Sequence, residues 1–310
     1  MTVPPSGPAA ESRASLEPPV TPVWLTARGP VALDRPVVVG ILNITPDSFS
    51  DGGRYSAVGA AVAYTESLLT AGADIIDVGG ESTRPGRTET VPADEELRRV
   101  LPAIEEILRA HPTLLLSIDT VKAVVARAAL DAGVAIVNDV TAFRHDPDMA
   151  TTVAAARAGV ILMHSRGSLL EIASYQHADY GGDVVGRVLD ELRQADIAAA
   201  AAGIAPAAIV LDPGFGFAKT VEQNLALLHG LAALTALGRP LLVGPSRKRF
   251  LGAAGDLPVE RRDGATAVAC ALAYERGARL FRVHDVAATR EALAVAHAVT
   301  TTTEHHSDER

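Results

Sequence analysis

The chain has 310 residues, 48% of them hydrophobic, with one cysteine and a formal net charge of −9. A single cysteine excludes a disulfide scaffold or a cysteine-clustered metal site, and the acidic balance argues against nucleic acid as a partner. No segment is apolar for long enough to span a bilayer and no secretory apolar core follows Met1, so a cytoplasmic protein with no membrane partner is expected.

Residues 1–22, rich in Pro, Ser and Ala, read as a disordered tail. The first strong element is Val37–Leu42, a continuous apolar run rich in β-branched residues, which predicts a strand buried on both faces. It stops at Asn43. The loop that follows sets turn formers, Thr45-Pro46-Asp47-Ser48 and Asp51-Gly52-Gly53, on either side of Phe49, an aromatic that a purely structural loop has little reason to hold.

The same pattern recurs along the chain, each apolar run ending in a polar or charged residue. Asp74–Val78 leads into Gly79-Gly80-Glu81-Ser82-Thr83-Arg84-Pro85-Gly86, Leu114–Ile118 into Asp119, and Val134–Val137 into Asn138-Asp139. Val160–Met163 leads into His164, Ala208–Leu211 into Asp212-Pro213-Gly214, Leu241–Val243 into Gly244-Pro245-Ser246-Arg247-Lys248, and Leu280-Phe281 into Arg282-Val283-His284. Helices are predicted between them over Ala57–Ala71, Ala93–Ala110, Val121–Ala132, Ala150–Ala158, Asp183–Ala202, Val221–Ala236, Gly264–Arg276 and Ala287–Val299, several dominated by alanine. Eight such units over roughly 260 residues predict an α/β protein, a (β/α)₈ TIM barrel in one domain over 23–299. Residues 300–310 read as a second disordered tail.

A barrel brings all its strand ends to one face. That would gather Arg84, Arg247-Lys248-Arg249, and Arg282 with His284 around an anionic ligand, for which the planar fork of arginine suits phosphate. Asp77, Asp119, Asn138 and Asp212 would line the same face with short polar groups able to hold a flat heterocycle by its edge, a carboxylate matching a 2-amino-pyrimidinone. Asp119 could instead cap the helix beginning near Val121, and Asp212 before Pro213 could be a turn former.

The motifs GILNITPDSFSDGG (Gly40–Gly53), DVGGESTRPG (Asp77–Gly86), SIDT (Ser117–Thr120), VNDV (Val137–Val140), LDPGFGFAK (Leu211–Lys219), GPSRK (Gly244–Lys248) and RVHDV (Arg282–Val286) together closely resemble dihydropteroate synthase, in order over nearly the whole barrel. The resemblance implies a sulfonamide-target transferase of folate biosynthesis, usually a homodimer. It joins 6-hydroxymethyl-7,8-dihydropterin diphosphate to 4-aminobenzoate with the help of Mg²⁺.

Carried over residue by residue, it implies that Asp119, Asn138, Asp212 and Lys248 surround the pterin, that Asn43 is the metal-linked residue, and that Arg282 and His284 bind the diphosphate. Phe49, Thr83, Arg84 and Pro85, with Phe217 and Ser246, would shape the aminobenzoate site, and Asp47 would help to close it. Asp119, Lys248, Arg282 and His284 would be the catalytic set. Two departures from the commonest pattern stand out: the irregular stretch after Met163-His164-Ser165-Arg166-Gly167, and Ala218 where a glycine is common. The substrates imply early loss of diphosphate and a pterin methylene cation that the arylamine captures, in an SN1-like sequence. A barrel binding methylated folate for corrinoid-dependent methyl transfer would share the pterin pocket but lack the aminobenzoate loop, here intact as Ser82-Thr83-Arg84-Pro85-Gly86. A non-catalytic homologue is the other alternative.

Overall fold

The structure is a computed structural model that describes residues 22–45, 53–82 and 89–302. It opens with a hairpin, β1 (Val23–Thr26) and β2 (Gly29–Ala32), followed by β3 (Val37–Asn43), α1 (Gly53–Thr70), β4 (Ile75–Gly79) and α2 (Ala93–Ala110). Then come β5 (Leu115–Asp119), α3 (Ala123–Asp131), β6 (Ile136–Asp139), α4 (Met149–Ala156), β7 (Gly159–Met163) and α5 (Val184–Ala201). The chain continues with β8 (Ile209–Asp212), α6 (Val221–His229), β9 (Leu241–Val243), α7 (Arg249–Gly255), α8 (Asp263–Glu275), β10 (Ala278–Val283) and α9 (Val286–Thr301).

Strands β3 to β10 close a parallel barrel in the order β10-β3-β4-β5-β6-β7-β8-β9, as the eight repeated units predict. Each strand is buried along nearly its whole length because helices cover one face and the barrel interior the other. Alternation along a strand then sorts the side chains into layers. The inward residues of the lower half are apolar and form one cluster: Val37, Val39, Ile75, Ile136, Ile161, Val210, Leu242 and Leu280. Two residues further along, the same inward face carries Asp77, Asn138, Asp212 and Arg282. Polar groups thus appear only towards the carboxyl ends of the strands, where such barrels build their sites.

The hairpin seals the opposite mouth. Trp24 is fully buried in the lower cluster with Leu33, and its indole N–H donates to the Ala208 carbonyl at 2.8 Å. No element was expected before Val37; β1 and β2 are four residues each, too short for a clear alternation to show.

Two other differences have local causes. The helix expected over Val221–Ala236 breaks at Gly230 and continues as a tighter 3₁₀ turn from Leu231 to Leu237. An additional short helix, α7, follows Lys248 directly. At the C-terminus α9 runs to Thr301, two residues past the expected boundary at 299. Of the tails expected over 1–22 and 300–310, residues 1–21 and 303–310 lie outside the described residues.

Candidate active site

A cavity of about 680 Å³ opens at the carboxyl ends of the strands. Asn43, Asp119, Asn138, Asp212, Phe217, Ser246, Lys248, Arg282 and His284 all contribute to its wall. These are nine of the residues that the sequence singles out, drawn from six strands and the turns after them. Phe49, Thr83, Arg84 and Pro85, together with Asp47, lie outside the described residues.

Its floor is an ionic network centred on Arg282 from β10. The guanidinium donates from Nε to Asp77 Oδ2 at 2.6 Å and from Nη2 to Asp119 Oδ2 at 2.7 Å. Asn138 donates from Nδ2 to the same Asp77 oxygen at 3.0 Å. Asp77 is fully buried, and the site makes it an anchor for two other side chains. Burial works against the charge of Arg282, but the two carboxylates outweigh it and hold the guanidinium protonated beyond its ordinary range.

Asp119 does not cap a helix, since α3 begins at Ala123 with Lys122 at its N-cap and no side-chain cap. Its carboxylate is committed to the cavity floor. Burial pushes the Asp119 carboxyl well above its ordinary value, against the pull of Arg282 and with the repulsion of the neighbouring Asp77 carboxylate. Asp212 is both turn former and wall residue: Oδ1 accepts the Gly214 N–H at 2.7 Å, and burial raises its carboxyl to about 6 despite that bond and the nearby Lys219 and Lys248.

Opposite stands Lys248, the residue before α7. Its ammonium lies over the Phe217 ring, 3.9 Å from the centroid, a cation–π contact inside the cavity. Burial, then the charge of Arg282, pulls Lys248 down to about 8. The aliphatic stem passes close to the backbone at Gly216, where a Cβ would fall 2.8 Å from Lys248 Cδ. The three consecutive cations all border the cavity, as expected, and two of them also hold partners at its edge. Arg247 is turned into a bidentate pair with Asp263 at the start of α8, at 2.7 and 2.9 Å, and Arg249 lies over Tyr175.

Ser246 and His284 form a pair at the rim. The His284 backbone N–H donates to Ser246 Oγ at 3.1 Å, and Ser246 Oγ lies 2.9 Å from His284 Nδ1.

The end of β7, where the sequence departs from the commonest pattern, is well connected. His164 Nε2 meets Glu191 Oε2 at 2.9 Å, and His164 Nδ1 meets Lys219 Nζ at 2.9 Å. Glu191 sits mid-helix in α5, where no motif marks it. Ala218 has φ +46°, the left-handed conformation, which explains why a glycine suits that position.

A Mg²⁺ ion is implied by the resemblance, and the donor set bears on it. Among the described residues no cluster of three or more His, Cys, Asp or Glu side chains could hold a metal by itself. Asn43, whose side chain offers one neutral amide oxygen, lies on the cavity wall. That suits a cation which keeps most of its coordination for water and phosphate oxygens, the habit of Mg²⁺.

The family of pterin binding enzymes matches the chain over residues 39–284. The dihydropteroate synthase of Mycobacterium leprae is 48% identical over 264 residues, covering 83% of this chain and 91% of that protein. Among solved structures, the dihydropteroate synthase of Xanthomonas albilineans with 4-aminobenzoic acid is 46% identical, with a TM-score of 0.84 over 92% of this chain and all of that one. In complex with 7,8-dihydropteroate it superposes with a TM-score of 0.80 over 91% of this chain and all of that one, at 44% identity. The enzyme of Yersinia pestis, solved with a sulfonamide drug, is 37% identical with a TM-score of 0.83, covering 90% of this chain and all of that one.

Proposed function

The chain belongs to the family of pterin binding enzymes and stands among its dihydropteroate synthases, and on that premise we propose how its residues divide the reaction. The protein is a transferase of folate biosynthesis: it condenses 6-hydroxymethyl-7,8-dihydropterin diphosphate with 4-aminobenzoate, forming 7,8-dihydropteroate and diphosphate. The observation that carries the assignment of roles is the gathering of Asp119, Asn138, Asp212 and Lys248 on one cavity wall, beside the Arg282 network.

The pterin lies between these four residues. Asp212 and Asn138 present acceptors and donors at the level of a heterocycle edge, and Lys248 donates from above Phe217. Arg282 and His284 take the diphosphate at the adjoining rim, and Ser246 with Phe217 faces the arylamine. The resemblance assigns Phe49, Thr83, Arg84 and Pro85, which lie outside the described residues, to the same substrate. Asn43 would help to hold Mg²⁺, which when bound would neutralise charge on the leaving group.

In the favoured sequence the methylene carbon–oxygen bond breaks first, its electron pair leaving with diphosphate. The pterin methylene cation that remains is captured by the arylamine lone pair, and the nitrogen then loses a proton to solvent. Asp119 stabilises the cation. At about 4 Å and an effective dielectric near 20, a charge pair of this kind is worth about 4 kcal/mol. No covalent nucleophile is used, and Cys270 is buried within α8.

A homodimer accords with the surface of α8 and α9, which pack on each other and leave Val268, Leu272, Val295 and Val299 exposed. Val268 and Leu272, like Val295 and Val299, are four residues apart and so share one helix face. Light scattering of the wild type and of Val268→Glu tests this, a dimer reduced to monomer being the expected result. No described helix is long and apolar enough to cross a membrane.

Incubation with the pterin diphosphate, 4-aminobenzoate and Mg²⁺, followed by mass spectrometry, tests the activity. Dihydropteroate should form in step with diphosphate. Absence of both in the folded protein would overturn the reading.

A further inference from the structure

On the pterin wall, Lys219 borders the cavity yet is buried, with 1% of its surface exposed, and among the described residues no carboxylate pairs with it. All its donors are nonetheless used. Nζ donates to the carbonyl of Gly214 at 3.0 Å and of Phe217 at 3.1 Å, and lies 2.9 Å from His164 Nδ1.

The direction of the last bond follows from the far side of the imidazole. Glu191 is held ionised: although burial pushes its carboxyl up, the hydrogen bonds from His164 and Arg166 bring it down to about 2. An ionised carboxylate only accepts, so His164 Nε2 carries the ring proton and donates to Glu191 Oε2. Nδ1 is therefore the acceptor, and Lys219 the donor. Arg166 fixes the carboxylate in turn, donating from Nε to both of its oxygens at 3.1 Å. Burial and the neighbouring Lys219 pull His164 down to about 4, so the imidazole stays neutral beside the amine.

The two carbonyls that Lys219 holds are the two ends of a tight turn, closed by the Phe217 N–H donating to the Gly214 carbonyl at 3.2 Å. That turn brings Gly216 against the stem of Lys248 and sets the Phe217 ring beneath the Lys248 ammonium. An amine can draw two carbonyls and an imidazole towards one point. An apolar side chain of the same volume cannot.

Resting on the reading given above, we propose that Lys219, oriented by His164 and Glu191, is a positioning residue for the pterin site, which clamps the Gly214–Phe217 turn so that Phe217 and Lys248 meet. The clamp acts on the ligand through Phe217. It connects helix α5, through β7, to the wall of the cavity.

The test reads pterin binding without turnover, by calorimetry with 6-hydroxymethylpterin as the probe. A protein that binds the pterin yet makes no dihydropteroate would refute the activity while leaving this proposal standing. Lys219→Met should weaken binding by about tenfold or more, the scale of a displaced binding group. In a Phe217→Leu background the same change should add little, because the clamp has then lost what it positions. A purely structural lysine would give the same loss in both backgrounds, and a folded Lys219→Met variant with wild-type affinity would overturn the proposal.

A second pair keeps the question open to experiment if Lys219→Met does not fold. His164→Gln, which retains an acceptor, should bind the pterin better than His164→Leu; equal affinities would count against the clamp. In the wild-type protein, imidazole nitrogen chemical shifts should show Nε2 protonated and Nδ1 unprotonated near neutral pH. The opposite tautomer would contradict the arrangement.

Discussion

Arg282 and Asp119 are joined at 2.7 Å across 163 residues of chain, on strands that are not neighbours in the barrel. The pair places a carboxylate positioned to attract a pterin cation directly beside the guanidinium assigned to the departing diphosphate. Asp119→Asn keeps the shape and removes the charge. Turnover should fall about a thousandfold, the loss equivalent to about 4 kcal/mol of transition-state stabilisation. The variant should remain folded, because Arg282 retains Asp77 at 2.6 Å. Steady-state kinetics and a melting curve check both halves.

Asp212 should cost stability at the pH where it is needed. Its folded value of about 6 stands above the ordinary carboxylate value of 3.8, chiefly through burial, so between those limits the folded state binds a proton that the unfolded chain does not. The destabilisation is therefore absent below about pH 4, builds as pH rises, and is complete above about pH 6. Asp212→Asn keeps an oxygen for the Gly214 N–H, and should raise stability by up to roughly 3 kcal/mol at pH 8. The gain should vanish towards pH 4. Denaturant titrations at several pH values check the trend, and a gain that grew on acidification would reverse the sign of the argument.

Lys248 sets the alkaline limit. Burial and Arg282 bring it down to about 8, so the free enzyme loses this cation as pH rises through that value. kcat/KM for the pterin diphosphate should fall correspondingly, since this ratio reports the free enzyme. Lys248→Arg should move the limb upward even if it lowers the plateau, and Lys248→Ala should remove the limb and most of the turnover. A pH-rate profile of the three proteins decides.

The turn after β8 makes unequal demands on its small residues. Gly214 has φ +69°, and a Cβ there would fall 1.9 Å from the His164 carbonyl oxygen. Gly214→Ala should destabilise by on the order of 3 kcal/mol. Ala218→Gly should be near neutral: relief of the left-handed strain, about 1 kcal/mol, offsets the loss of one buried methyl, about 0.8 kcal/mol. Chemical denaturation of the two variants is the measurement.

Much of this architecture was legible in the sequence. Parallel-barrel strands buried on both faces leave continuous apolar runs, and their abrupt endings at Asn43, Asp119, Asn138, Asp212 and Arg282 marked the cavity wall. What was hidden depends on closure. Asp77 was visible as a late-strand carboxylate, but its role as anchor exists only because β10 returns beside β3 and brings Arg282 to it. Glu191 carries no local signal, being a mid-helix glutamate whose partner His164 is 27 residues away. Arg247 borders the cavity beside Lys248, as one cationic run predicts, but its pairing with Asp263 in α8 leaves no local signal. The Trp24 plug escaped notice because a four-residue strand has too few side chains to show a pattern.

The central claim is that the carbon–oxygen bond breaks before the carbon–nitrogen bond forms, with Asp119 holding the cation. The most direct measurement is the secondary isotope effect on kcat/KM with deuterium on the pterin methylene. A substantial normal effect is predicted, because that carbon becomes trigonal in the transition state. An effect near unity with chemistry rate-limiting would mean that the arylamine attacks as diphosphate leaves, and would contradict the account.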